Sequence, residues 1–124
     1  MNAGVRVARR GRVRVAIFAT HPIQNQVPWF RSLAARRELD VKVFFGMVPD
    51  AVQQGVGFGV GFRWDVPLLE GYDSEILRNM ARNPSLGTFD GCDTPGVAGS
   101  LRAWKPDVSI LTGWQSKMLV QAWW

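Results

Sequence analysis

Apolar and β-branched residues run almost unbroken through VRVAIFAT at 13–20 and again through DVKVFFG at 40–46. Continuous apolar runs of this length, closed by Pro22 in one case and Gly46 in the other, predict strands buried on both faces. Between them lie HPIQNQ at 21–26 and VPWFRSLAARREL at 27–39. In the latter, Phe30, Leu33, Ala34 and Arg37 recur at helical spacing, and Pro28 suits a first turn because its missing N–H is not needed there. Strand, helix and strand over 13–46 make a βαβ unit.

The remaining pattern is more broken. From Met47 to Phe62 no period of 3.6 survives. Asp65–Leu69 reads as a short strand, and Glu75–Met80 holds helix formers that soon meet Asn83-Pro84. NPSLGTFDGCDTPG at 83–96 is loop by composition. Thr94 followed by Pro95 predicts an N-cap and first helical position, with Val97, Leu101 and Trp104 on one face and Pro106 as the stop. DVSILT at 107–112 predicts another buried strand. From Gln115 a helix begins with Leu119, Ala122 and Trp123 on one stripe, ending on Trp123-Trp124 without a glycine cap. The expected architecture is α/β: a Rossmann-like, doubly wound, mostly parallel sheet over 13–124, read as an incomplete domain.

Charge sharpens this picture. The 124 residues carry a formal net charge of +5. Arg6, Arg9, Arg10, Arg12 and Arg14 precede any acidic residue, and from Val15 onward ten basic and ten acidic residues balance. The basicity therefore belongs to a leader, 1–12, expected to be disordered. It is suited to a solvated tail, or to weak contact with an anionic membrane face. The neutral body is poor material for a nucleic-acid binder. No apolar stretch approaches the roughly 18–20 residues of a membrane span. A lone Cys92 gives no disulfide framework. A cytoplasmic protein, peripheral at the inner membrane face if the leader engages lipid, is the expectation.

In open α/β sheets, ligands collect outside the carboxyl ends of strands. That places Thr20, His21 and Gln24, then Gly46 and Met47, then Gly113 and Trp114 at the expected mouth. His21 is the one side chain able to act as an acid or base near neutrality. Glycines at 55, 57, 59 and 61 miss the G-x-G-x-x-G dinucleotide spacing by one residue, and no P-loop or G-x-S-x-G elbow exists. With one His and one Cys, a structural zinc site is not expected. Asp65 and Glu70 suit hydrogen bonds to sugar hydroxyls or bonds that hold a loop. Trp64 and Trp114 suit stacking on a sugar ring, with core packing as the default, and Trp29 and Trp104 are expected to pack.

VAIFATHPIQNQVPWFRSLAA, DVKVFF, FGVGFRWDVPLLEGY and KPDVSILTGW, in this order and spacing, resemble the amino-terminal part of a family-four glycosyltransferase. The resemblance covers about residues 13–124. It implies a GT-B fold, in which two Rossmann-like domains face across a cleft, the first handling the acceptor and the second the nucleotide-sugar. It further implies transfer with retention and without a metal or cofactor. Carried over by position, Thr20 and His21 line the cleft beneath the diphosphate or sugar. Phe58–Tyr72, including Phe58, Gly59, Gly61, Trp64, Asp65 and Glu70, form an acceptor-side loop, and Gly113-Trp114 border the cleft. Asn25 stands where the family's opening motif has an aromatic residue.

The implied partners are a nucleotide-sugar, a glycan or small-molecule acceptor, and a donor-binding second domain missing from this sequence. On that reading the 124 residues are expected to be inactive in transfer by themselves. The alternative is a free-standing flavodoxin-like module that binds a small ligand or regulates a partner.

Overall fold

The computed structural model describes residues 11–48 and 68–123. Residues 1–10 of the leader expected over 1–12, the glycine-rich stretch and Trp124 lie outside these, whereas Arg12 is described, its Nη2 donating to the Leu39 carbonyl at 2.9 Å. Among the described residues the strands are β1 (Val13–Ala19), β2 (Leu39–Phe45), β3 (Asp73–Ile76) and β4 (Val108–Leu111). The helices are α1 (Val27–Ala34), α2 (Val97–Trp104) and α3 (Lys117–Gln121), with a 3-10 turn at Phe89–Gly91. The sheet order is β3-β2-β1-β4 and every pairing is parallel.

The two apolar strands are central, as their composition requires. Val13 to Ala19 register residue by residue with Leu39 to Phe45. Alternation then divides their side chains between two cores. Val15, Ile17, Ala19, Val41, Val43 and Phe45 meet Val27 and Phe30 of α1 on one face. Ala16, Phe18 and Phe44 meet Val97, Met118 and Leu119 of α2 and α3 on the other. Helices thus cover both faces, which makes the sheet doubly wound. Phe18 and Phe44 stack across adjacent strands with ring centroids 5.1 Å apart.

Local chemistry accounts for the helix ends. Pro28 occupies the first turn of α1, as expected. The predicted stripe of α2 holds: Val97 is buried, and Leu101 and Trp104 pack against the same core. Its end is set by Lys105, left-handed at φ 57°, whose N–H bonds to the Leu101 carbonyl at 2.8 Å, and by Pro106, which cannot continue the helix.

Several expectations are corrected. Asp73–Ile76 is a strand, where Glu75–Met80 carries helix formers: Glu75 is held by Lys42 of β2 at 3.1 Å and by the Ser100 hydroxyl of α2 at 2.9 Å. Tertiary partners override local propensity. The predicted strand over Asp65–Leu69 is not continued by Leu68 and Leu69, which lie outside any strand, while 65–67 fall outside the described residues. β4 is an edge strand with Val108 and Ser109 exposed, not a buried one. Thr94 does not cap α2. Gly96 occupies that position, and Thr94 is fully buried, its N–H donating to Gln121 Oε1 of α3 at 2.8 Å. Trp29 is 44% exposed and Trp123 65%, whereas Phe30, Leu119 and Ala122 point inward.

Candidate functional site

The strand order changes direction at β1, since β2 and β3 extend the sheet to one side and β4 to the other. The gap beyond the carboxyl ends of β1 and β4 is therefore the topological switch point, where open α/β sheets hold ligands. The tails of β1, β2 and β4 meet there. The Thr20 carbonyl accepts hydrogen bonds from the N–H groups of Gly46 at 3.1 Å and Met47 at 3.0 Å, which ties β1 to β2. The Thr112 N–H and hydroxyl both donate to the Phe18 carbonyl, at 3.2 and 3.0 Å, which ties β4 to β1.

On this frame sit Thr20 and His21, both half-buried, with Thr20 Oγ1 2.9 Å from His21 Nδ1. Burial removes water from the imidazole and lowers its pKa below the ordinary 6.5, so the ring is neutral at physiological pH. Pro22 is buried behind it, and Gln24 is half-buried in the turn that enters α1. Gln26, one step before α1, buries its Oε1 without a partner among the described residues. Gly113 follows β4 by two residues, and Trp114 holds its indole 76% exposed.

Gly46 is required by close packing under this mouth. A Cβ added there would stand 2.0 Å from Cys92 Sγ and 2.8 Å from Met118 Sδ. Cys92 is buried, 3.7 Å from that thioether, and burial with the nearby Asp93 charge pushes its thiol up to about 11. It is a packing residue, protonated and unreactive at neutral pH. No signal in the sequence placed Cys92 beneath Gly46, because a contact 46 positions away has no local signature.

The structure thus brings Thr20, His21, Gln24, Gly113 and Trp114 to the same end of the sheet. Glu70 stands three residues before β3, exposed, with its carbonyl held by Arg31 Nε of α1 at 2.7 Å. Phe58, Gly59, Gly61, Trp64 and Asp65 lie outside the described residues.

Among the described residues no group of three or more His, Cys, Asp or Glu side chains gathers to hold a metal ion. Nor is any described helix long and apolar enough to cross a membrane. An open trough of about 410 Å³, lined by Ala98, Leu101, Arg102, Pro106, Ser109 and Ala122, lies beside α2 and β4 and contains none of the mouth residues. Among the described residues the mouth offers a threonine hydroxyl, one neutral imidazole, one exposed indole and ordered backbone, groups able to bind and orient a hydroxylated or phosphorylated ligand.

No protein-family model matches the chain, and neither curated proteins nor solved structures give a match.

Proposed function

We propose that the chain is the acceptor-side domain of a glycosyltransferase that works with a second, nucleotide-sugar-binding domain. The observation that carries this reading is the placement of Thr20-His21 and Gly113-Trp114 at the switch point of a parallel sheet. A polar pair and an exposed indole at the same end of the sheet fit a sugar, whose hydroxyls take hydrogen bonds and whose apolar ring face takes an aromatic plane. The order β3-β2-β1-β4 supports this reading over the flavodoxin-like module. In the flavodoxin order, 2-1-3-4-5, the third strand borders the first; here the third strand borders the second.

In the proposed mechanism this domain supplies one wall of the crevice. His21 contacts the diphosphate or sugar, Trp114 borders the bound ring, and the second domain anchors the donor. The arginine leader adds, at most, attraction to an anionic lipid surface.

The test is a titration of the ¹⁵N-labelled chain with UDP-glucose, GDP-mannose and FMN. It is read at the ring of the sole histidine and at the Trp114 indole, assigned through Trp114→Phe. Shifts at both sites with a nucleotide-sugar support the reading. A response to FMN alone, with both nucleotide-sugars silent at millimolar concentration, overturns it in favour of the module. Sugar transfer catalysed by the 124 residues alone would remove the need for a second domain.

A further inference from the structure

The trough beside α2 and β4 is built by three elements. Ala98, Leu101 and Arg102, three and four residues apart, share one face of α2. Ser109 of β4, Ala122 at the end of α3, and Pro106 in the link from α2 to β4 supply the rest of the described lining. Strand alternation puts Ser109 on the face of Leu111, which packs against the core under α2 and α3. Ala98, Leu101, Pro106 and Ala122 make apolar walls. The volume of about 410 Å³ falls within the roughly 300–1,000 Å³ of small-molecule pockets.

The two polar members of that lining are unspent. Arg102 and Ser109 are exposed, and neither side chain makes a hydrogen bond or ion pair with a described residue. Nor does the end of α2 call on Arg102. The Leu101 carbonyl is met by the Lys105 N–H and the Trp104 carbonyl by Arg14. No described acidic residue lines the trough, so the charge of Arg102 is uncompensated there. A cationic occupant would be repelled, and a neutral one would leave the guanidinium unused. A carboxylate, sulfonate or phosphate would meet its N–H groups in charge-assisted bonds.

We propose that the trough is a second binding site, for a small apolar molecule carrying one anionic group. The apolar body lies against Ala98, Leu101, Pro106 and Ala122, the anion pairs with Arg102, and the Ser109 hydroxyl donates a further hydrogen bond. Nothing in this site depends on Thr20, His21 or Trp114, so it stands apart from the glycosyltransferase reading.

Fluorescence titration with two dyes tests it: anilinonaphthalene sulfonate, and phenylnaphthylamine, the same ring system without the anion. The sulfonate should bind the 124-residue chain at one saturable site and more tightly than the neutral dye. Arg102→Gln should weaken the sulfonate roughly tenfold, the factor for one charge-assisted hydrogen bond, and leave the neutral dye unchanged. Ser109→Phe and Ala98→Phe, each setting a ring into the trough, should abolish binding of both. Equal affinity for the two dyes, or undiminished sulfonate binding by Arg102→Gln or by either folded Phe variant, overturns the proposal. If both Phe variants fail to fold, the Arg102→Gln titrations still decide. Sedimentation during the titration adds one more outcome: a dimer that dissociates as dye binds would make a second copy the occupant and overturn the small-molecule site.

Discussion

The Arg14 guanidinium lies 4.2 Å over the Trp104 ring while donating from Nε and Nη2 to the carbonyl of that same residue, at 3.1 and 2.7 Å. Its remaining nitrogen, Nη1, meets Asp40 Oδ2 at 2.6 Å. One side chain of β1 therefore closes the carbonyl end of α2 and joins it to β2. A cation at the C-terminal end of a helix is also favoured by the helix dipole.

Arg14→Ala should lower stability by about 2–3 kcal/mol, the combined effect of charge-assisted hydrogen bonds and ring stacking at a half-buried site. Arg14→Lys should recover only a minor part, since an ammonium cannot bond a carbonyl and a carboxylate in one plane while stacking on an indole. Urea unfolding midpoints of the two variants check this; equal stability of Arg14→Lys and wild type contradicts it.

Gly46→Ala should destabilise by about 1–3 kcal/mol, the usual range for overpacking, because the new methyl meets Cys92 Sγ. Removing that sulfur relieves the clash. In a double-mutant cycle Gly46→Ala should therefore cost less on a Cys92→Ala background than in the wild type. Additive effects of the two substitutions would show that Sγ is not what the methyl strikes.

Two backbone positions should respond with opposite signs. Gly71 sits at φ +90°, and a Cβ there would stand 3.0 Å from Arg31 Cγ, so Gly71→Ala should cost about 1–2 kcal/mol. Lys105 holds φ 57° with a side chain that the left-handed region disfavours. Lys105→Gly should be neutral or stabilise by up to about 1 kcal/mol. Paired thermal melts read both changes, and a loss of stability in Lys105→Gly would contradict the strain argument.

Stability should fall at both ends of the pH scale, for different reasons. His21 has a folded pKa below 6.5, so the unfolded chain takes up its proton more readily. Stability is then complete above pH 6.5 and declines as pH drops from 6.5 toward the lowered value; His21→Gln should flatten this part of the curve. Asp93, held by Gln121 and Lys117, and Glu38, held by its own backbone N–H and Arg36, have lowered pKa values, so their contributions fade only at more acid pH. Cys92 has the reverse sign. Its thiol, raised from 9.0 to about 11 mainly by burial, keeps its contribution below pH 9 and loses it as pH rises toward 11. Cys92→Ala should remove that alkaline decline, leaving the later loss from Tyr72, raised from 10.0 to about 12 chiefly by burial.

The central half of the fold was legible because it is written in local pattern. β1, α1 and β2 follow from uninterrupted apolar runs and a helical stripe around Phe30. What sequence reading missed was decided by distant partners. Glu75 favours a helix until Lys42 and Ser100 hold it in a strand. The polar stretch after β3 is organised by Asn79, whose side chain bonds the Gly91 carbonyl at 3.0 Å and the Asp93 N–H at 2.8 Å. An apolar run such as VSIL looks the same whether it ends in the middle of a sheet or at its border. For the mouth, the positions of Thr20, His21 and Trp114 were readable from strand ends. The packing of Cys92 beneath Gly46 was not.

Among the described residues, the two outer strands of the sheet are unlike. On β3, Asp73 and Glu75 place carboxylates along the rim, whereas β4, with the side chains of Val108, Ser109, Ile110 and Leu111, has no charge in it at all. Charged rims discourage stray pairing and bare ones invite it. Among the described strands, the β4 margin is thus the one whose own side chains set no charge against an extended backbone laid alongside.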